Sequence, residues 1–284
     1  MIINRSFKTV LLACVVVLSG CASQPQLDDA KEIVPIAQLL KQGEGKLQSK
    51  NYAAAVFFYK QALDQEPNNI PALLGLADAN LAVDKLAEAS KNYEAVLTNA
   101  PDNIHAAEGK ALVYFKGHDY ESAKQQLAEV LNKDNTRWRS WNALGIIADL
   151  EGSHKVAQQY FKQALSVDKA NVTVLNNLGY SLLMSHQYKE AEKVFREGLN
   201  YEPGFFRIRN NLAISLAFQS RYDDAISVLI KVVKNEVAYN NIGYIAMLNK
   251  EYLVAQNYFE KAISLSPSYY IRAARNLEKL KSLM

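Results

Sequence analysis

The chain has 284 residues, 49% of them hydrophobic, with 32 basic and 29 acidic side chains and a formal net charge of +3. Two of the basic groups, Arg5 and Lys8, lie at the very start, and without them the balance is close to neutral, which leaves no concentrated basic face for nucleic acid. No low-complexity block and no long run of like charge interrupts the sequence.

Residues 1–20 have the layout of an export signal. Arg5 and Lys8 form a basic start, and Val10 to Leu18 is an apolar run too short to span a bilayer as a mature helix. The run ends Leu18-Ser19-Gly20-Cys21, which resembles the bacterial lipobox, in which cleavage precedes a cysteine that then carries lipid. The other reading is an ordinary signal peptide with a chance cysteine. Cys14 and Cys21 are the only two cysteines. Cleavage removes the first and acylation consumes the second, so the mature chain has no free thiol, disulfide or thiolate metal site. That suits an oxidising compartment outside the cytoplasm. By the same resemblance, Ala22 after the cysteine implies sorting to the outer membrane, with the covalent lipid on Cys21 as the membrane attachment and no other cofactor. Each buried methylene adds about 0.8 kcal/mol, so two or more acyl chains anchor stably. Residues 21–35 then form the lipidated cysteine and its tether, which carries Ser23, Gln24, Pro25, Gln26 and Pro35. Extended, such a stretch reaches at most about 50 Å. A helical turn within Leu27 to Val34 is also compatible with Asp28-Asp29-Ala30-Lys31-Glu32.

From residue 36 the chain repeats itself. Ala55, Ala89, Ala123, Ala157, Ala191, Ala225 and Ala255 form one column, spaced by 34 residues until the last step of 30. Four residues after each comes Tyr59, Tyr93, Leu127, Phe161, Phe195, Leu229 or Phe259. A small/large pattern at this period predicts an all-α chain of stacked helix–turn–helix units, and the repeats are placed to start at 36, 70, 104, 138, 172, 206 and 236. The fourth repeat carries Trp141, Leu144, Gly145, Ala148, Gly152, Ala157, Phe161 and Ala164, an order and spacing that resembles the tetratricopeptide repeat family. The resemblance implies a right-handed α-solenoid of about seven repeats over residues 36–269. The first repeat lacks the aromatic near its start, and the third has Lys110-Ala111 where Leu-Gly is usual.

Gly145, Gly179 and Gly243 fall mid-helix, where glycine is disfavoured by roughly 1 kcal/mol against alanine, so a close approach between the helices of a pair is expected there, at the column of Ala157, Ala191 and Ala255. Aromatics such as Tyr188, Phe195, Tyr252 and Phe259 are expected to fill the gaps between pairs. Pro67, Pro101, Pro203 and Pro267 stand where one repeat ends and the next begins. The sixth repeat is four residues short, which removes about one helical turn from its second helix or the following loop. Two readings fit: drift in a loop, or a local change in curvature that shapes the groove. Residues 270–284 read as a capping helix whose apolar stripe is Ile271, Ala274 and Leu277, with Arg272, Arg275, Glu278, Lys279 and Lys281 facing water.

Catalytic chemistry has little to stand on. His105, His118, His154 and His186 are dispersed, without a His-x-x-x-His pair, a nucleophile elbow or a phosphate-binding glycine loop, so an enzyme is not expected and no metal or catalytic residue is assigned. His118 and His186 share a column at the turn between helices, which marks them as turn residues. The family resemblance implies that the first helix of each pair lines a concave groove. Mapped by that register, the groove carries Asn176, Asn177, Tyr180, Leu183 and Met184, then Arg207, Asn210, Asn211, Ile214, Ala217 and Phe218, then Val237, Asn240, Asn241, Tyr244, Met247 and Leu248. An Asn-Asn pair thus recurs in three successive repeats. Each amide can donate to and accept from an extended peptide backbone whatever its sequence. The same amides can equally bond within the array, and both readings stand. Tyr180, Phe218 and Tyr244 are the candidate apolar anchors. Arg207 and Arg209 either select an acidic partner or are solvated surface groups.

The runs Asn176-Asn177-Leu178-Gly179-Tyr180, Arg209-Asn210-Asn211-Leu212-Ala213, Tyr239-Asn240-Asn241-Ile242-Gly243-Tyr244 and Ser266-Pro267-Ser268-Tyr269-Tyr270 resemble the TadD family, the tetratricopeptide lipoproteins of the tight-adherence (Flp) pilus system. The resemblance implies an outer-membrane lipoprotein facing the periplasm that binds protein partners, among them the secretin through which the pilus passes, in the manner of a pilotin. The alternative is an adaptor lipoprotein for peptidoglycan hydrolases or another envelope machine.

Overall fold

The computed structural model describes residues 34–284 apart from 267 and 269. The signal segment, Cys21 and most of the tether therefore lie outside the described residues, as does Pro267. Among the described residues the chain forms fifteen α-helices and no strand. They come as seven pairs: α1 Ile36–Gln48 with α2 Tyr52–Gln65, α3 Ile70–Ala82 with α4 Leu86–Asn99, α5 Ile104–Lys116 with α6 Tyr120–Lys133, and α7 Trp138–Leu150 with α8 His154–Val167. Then follow α9 Val172–Met184 with α10 Tyr188–Tyr201, α11 Phe206–Phe218 with α12 Tyr222–Leu229, α13 Asn235–Leu248 with α14 Tyr252–Leu265, and the single α15 Ile271–Lys281. Each helix packs on the next. In addition every first helix packs on the first helix of the following pair, from α1–α3 through to α13–α15, whereas the backbones of successive second helices stay farther apart, α12 and α14 meeting through side chains, with Tyr258 Oη donating to Asp223 Oδ1 at 3.1 Å. The first helices are therefore the crowded inner wall and the second helices the spread outer wall of an α-solenoid.

Every turn inside a pair is built the same way. Lys50, Asp84, His118, Gly152, His186, Ser220 and Lys250 all take a left-handed backbone, with φ between 57° and 76°. The residue after each donates its N–H five residues back, as Lys85 to the Asn80 carbonyl at 2.9 Å and Glu251 to the Ala246 carbonyl at 2.9 Å. This closes the first helix and opens the second within three residues. Six of the seven positions are not glycine and carry roughly 1 kcal/mol of local strain each, which the stacking holds in place. His118 and His186 belong to this column, and each ring Nδ1 meets the hydroxyl two residues on, Tyr120 at 2.8 Å and Tyr188 at 2.6 Å.

The alanine column is fully buried, and so is the ring or leucine four residues beyond it. The glycines answer to that ring rather than to the alanine, which corrects the expectation from the sequence. A Cβ on Gly145 would lie 2.5 Å from the Phe161 ring, one on Gly179 would lie 2.4 Å from Phe195, and one on Gly43 would lie 2.7 Å from Tyr59. The same rings also reach forward: a Cβ on Gly75 would lie 2.1 Å from Tyr59, and one on Gly109 would lie 2.2 Å from Tyr93. Tyr59 is thus a wedge between its own first helix and the next, so one side chain joins three helices.

At the C-terminal end α15 takes the place of an eighth first helix, packing on α13 and α14. Its buried stripe is Ala273, Leu277 and Leu280, not Ile271, Ala274 and Leu277; Ile271 is 55% exposed. Both triplets have helical spacing. The small side chain of Ala273 goes to the close approach and leaves the bulkier Ile271 outside. Arg272, Arg275, Glu278, Lys279 and Lys281 face water as the sequence suggests.

The shortened sixth repeat loses its residues from the second helix. α12 has eight residues where the other second helices have 14, and the chain turns back through 230–234, with Val232 and Val233 packed on the core. α12 consequently covers less of α13 than α10 covers of α11, and α13 lies more broadly on α11 than other neighbouring first helices do on each other.

Two glycine replacements separate wedge from propensity. Gly145→Ala is expected to lower stability by about 1–3 kcal/mol, because Phe161 is buried and cannot yield. Gly45→Ala, where nothing lies within 4 Å of the new Cβ, is expected to raise it by about 0.5–1 kcal/mol. Thermal and urea unfolding midpoints of the two variants check both signs.

Candidate protein-binding groove

The inner wall of the last four repeats holds a line of asparagines that largely bond to each other. Asn177 Nδ2 donates to Asn142 Oδ1 across α9 and α7 at 2.9 Å, and Asn211 Nδ2 donates to Asn176 Oδ1 across α11 and α9 at 3.1 Å. Within a repeat Asn176 Nδ2 reaches Asn177 Oδ1 at 3.4 Å, and Asn240 Nδ2 reaches Asn241 Oδ1 at 3.3 Å. At the cap Asn276 Nδ2 donates to Asn240 Oδ1 at 2.9 Å. Asn240 is only 2% exposed, so it is an internal strut and not a surface group. Of the two readings left open by the sequence, bonding within the array accounts for Asn176, Asn177, Asn211 and Asn240. Asn210 has no side-chain partner among the described residues.

The remaining residues of the expected groove divide between two depressions. One, of about 320 Å³, is lined by Ile146, Leu150, Tyr180 and Met184 with Asn177 at its edge. The other, of about 510 Å³, takes in Asn210, Phe218, Asn241, Tyr244 and Leu248 together with Arg272 from α15. Tyr180, Met184, Tyr244 and Leu248 are each more than a third exposed. Phe218 is a fixed wall, stacked on Tyr188 with ring centroids 5.1 Å apart and planes 8° apart. Leu183, Ala217 and Met247 are buried in the stack and do not reach the groove. Arg207 is exposed on α11. Arg209 instead turns back to the Pro203 carbonyl, with its buried Nε unpartnered.

Two polar networks escaped the sequence reading because their members come from different helices, with separations of up to 32 residues. In repeats two and three, Tyr93 Oη donates to Asp78 Oδ1 at 2.6 Å, and His105 Nε2 lies 3.0 Å from Asp78 Oδ2. Nearby, Ser140 Oγ donates to the buried Glu108 at 2.8 Å, with Arg137 3.8 Å from the other Glu108 oxygen. The hydrogen bond to Asp78 holds the His105 imidazole above its ordinary pKa. Burial pushes the Tyr93 hydroxyl far up, with Asp78 adding to it, and burial pushes Tyr59 up to about 12. The inner-wall register of the repeats does place Asp78, His105 and Glu108 on one face, and that is the signal by which they could have been found.

The second network is Asp149, His154 and Ser181. Ser181 Oγ donates to Asp149 Oδ1 at 2.7 Å, and His154 Nδ1 lies 2.9 Å from the same oxygen. The residue types are those of a hydrolytic triad, but the carboxylate stands between the other two. In a working triad the imidazole must bond the hydroxyl whose proton it takes. Here the serine proton already points at the carboxylate, and Ser181 is fully buried. The cluster joins α7, α8 and α9 and offers no nucleophile. Among the described residues, no three His, Cys, Asp or Glu side chains gather to hold a metal ion, and no helix is long and apolar enough to cross a membrane.

A stack of helix pairs with an inner wall that no described segment covers defines a protein-interaction scaffold. The chain belongs to the tetratricopeptide repeat family: the family model for the tetratricopeptide C-terminal domain of cilia and flagella-associated protein 70 matches residues 18–243, and the general tetratricopeptide repeat model matches residues 237–269. Solved structures agree on the fold. A tetratricopeptide repeat protein from Parabacteroides merdae is 20% identical with a TM-score of 0.53, covering 87% of this chain and 98% of its own. The C-terminal part of a repeat protein from Cytophaga hutchinsonii is 19% identical with a TM-score of 0.59, covering 84% and 99%. Pseudomonas aeruginosa pilF is 17% identical with a TM-score of 0.54, covering 88% and 97%. At these identities the likeness concerns the fold alone. No curated protein matches the sequence.

The His105–Asp78 pair makes stability depend on pH. A folded-state pKa above the unfolded value gives a contribution that is complete below about pH 6.5 and is lost as pH rises through the higher native value. His105→Gln is expected to flatten that part of the profile. Urea midpoints of wild type and variant, compared from pH 5.5 to 8.5, should converge at the alkaline end and diverge at the acid end.

Proposed function

We propose that this chain is a non-catalytic lipoprotein of the outer membrane, held by acyl chains on Cys21 and facing the periplasm, whose inner groove binds a protein partner. Among envelope machines the reading favours the tight-adherence pilus, with a TadD-like role in placing or assembling the secretin. The observation that carries the binding role is the rigid inner wall that exposes Tyr180, Met184, Tyr244 and Leu248 side by side with polar amides, with no described segment lying over them. Apolar side chains held open on packed helices gain from burial without a further ordering cost. The lipobox-like Leu18-Ser19-Gly20-Cys21 supports the anchor, and the asparagine-bearing repeats support the pilus relationship. A role without turnover fits the arrangement at Asp149, in which the serine is fully buried and gives its proton to the carboxylate.

The membrane attachment is tested by fractionation. Wild type is expected to float with outer-membrane vesicles and Cys21→Ser to appear in the soluble periplasmic fraction; a variant that still floats overturns the anchor. The partner is tested by photo-cross-linking in cells from positions 180 and 244. Capture of the secretin is the expected result, and capture of a peptidoglycan hydrolase in its place overturns the pilus reading.

A further inference from the structure

We propose that the shortened sixth repeat opens one rung of the asparagine ladder, between Asn210 and Asn241, and that an extended partner segment carrying an apolar side chain next to a carboxylate docks on that rung. The inference rests on the reading of the inner wall as a protein-binding surface. It adds where on that wall the partner sits and what chemistry it presents.

The first observation is the gap itself. Across the other junctions of the C-terminal half, an asparagine amide donates to the amide one repeat earlier: Asn177 to Asn142, Asn211 to Asn176, and Asn276 to Asn240. The rung missing from the series is Asn241 to Asn210. Among the described residues, neither the Asn241 Nδ2 group nor either polar atom of the Asn210 side chain has a partner. Both side chains are half-buried on packed helices, so an unmatched donor and acceptor stand in fixed positions. Such a pair of amides can engage a peptide N–H and C=O without regard to side-chain identity.

The gap coincides with the one irregular backbone. α12 is the only second helix of eight residues, and α13 packs differently on both α12 and α11 as a result. The asparagines themselves are present on both sides of the junction. What differs is the seating of one helix on the next, so the open rung follows from the shortened helix and not from the loss of a polar residue.

The chemistry around the gap specifies the occupant. The 510 Å³ depression beside it is walled by Ile214, Phe218, Tyr244 and Leu248, which suits a large apolar side chain. Arg272 lines the same depression and no carboxylate does. Arg207, on the same helix as Asn210, has the same sign. Charge complementarity therefore selects a carboxylate on the incoming segment and rejects an ammonium group. The depression at Tyr180 lacks this combination, because Asn177 is already paired and the carboxylate of Asp149 is part of the lining.

The test uses the full-length chain in detergent and three fluorescent nine-residue peptides in a glycine–serine frame. One has leucine and aspartate at its centre, the second has lysine in place of the aspartate, and the third has serine in place of the leucine. By fluorescence anisotropy the leucine–aspartate peptide is expected to bind at least tenfold more tightly than either of the others. Asn210→Ala and Tyr244→Ala are each expected to weaken it at least fivefold. Arg272→Glu should reverse the preference, so that the lysine peptide binds more tightly than it does to wild type, a gain that unfolding would not produce. Equal binding of the aspartate and lysine peptides, no binding of any peptide, or a loss that follows Tyr180→Ala and spares Asn210→Ala overturns the proposal. Secretin capture from position 180 with any of these results leaves the proposed function standing and removes this inference. The expected peptide selectivity without secretin capture does the reverse.

Discussion

A ring lying on a backbone that has no Cβ is the contact on which every other feature depends. Phe161 over Gly145 and Phe195 over Gly179 bring the two helices of a pair closer than any other residue would allow. Tyr59 and Tyr93 do the same toward the next pair, over Gly75 and Gly109. A pair of amphipathic helices has no core of its own and gains one only when stacked. The wedge makes the stacking geometry-specific, because a ring such as Tyr59 fits between three helices at one relative position. Apolar burial alone would tolerate sliding; a ring seated against bare backbone does not.

Once that spacing is set, the polar groups of the inner wall fall into register. Asparagines one repeat apart come within hydrogen-bond distance, and so do Tyr93 with Asp78 and Ser181 with Asp149. Each such bond contributes about 0.5–1.5 kcal/mol, a small sum beside the apolar stacking. Their larger effect is to fix which polar groups remain open. Where the inner amides satisfy each other, they are withdrawn from a partner, and an amide stays available only where the series is interrupted.

How far the sequence disclosed this depends on the distance over which each feature is decided. The period, the alanine column, the rings and the left-handed turns are fixed within one repeat, and residues such as Ala157, Phe161 and His186 display them directly. The groove is decided between repeats. Asn210 and Asn240 hold the same register, yet the first is open and the second is a buried strut tied to Asn276. Nothing in either residue's neighbourhood in the chain distinguishes them, because the difference lies in how the following helix is seated. Leu183, Ala217 and Met247 face the stack for the same reason: the width of the exposed stripe is set by the neighbouring first helix. Ile271 was misjudged because two stripes of equal periodicity compete on α15, and the choice falls to whichever side chain is small enough for the close contact. Asp149, His154 and Ser181 belong to three helices, so their meeting is visible only in the stack.

A repeat array has few ways to make one place unlike another. Its turns are uniform here, with the same left-handed residue and the same five-residue-back hydrogen bond in all seven pairs, even where lysine, aspartate or histidine must bear the strain. Side-chain substitution changes a surface locally but leaves the helices where they were. Shortening a second helix is different in kind, because the outer helix sets how far the next inner helix can tilt and slide. Losing most of two turns from α12 acts on the outer wall, away from the groove, and its effect appears on the inner wall between α11 and α13. The asparagines, the aromatic walls and Arg272 then acquire distinct roles from their position relative to that one displaced junction, though their residue types recur elsewhere along the solenoid.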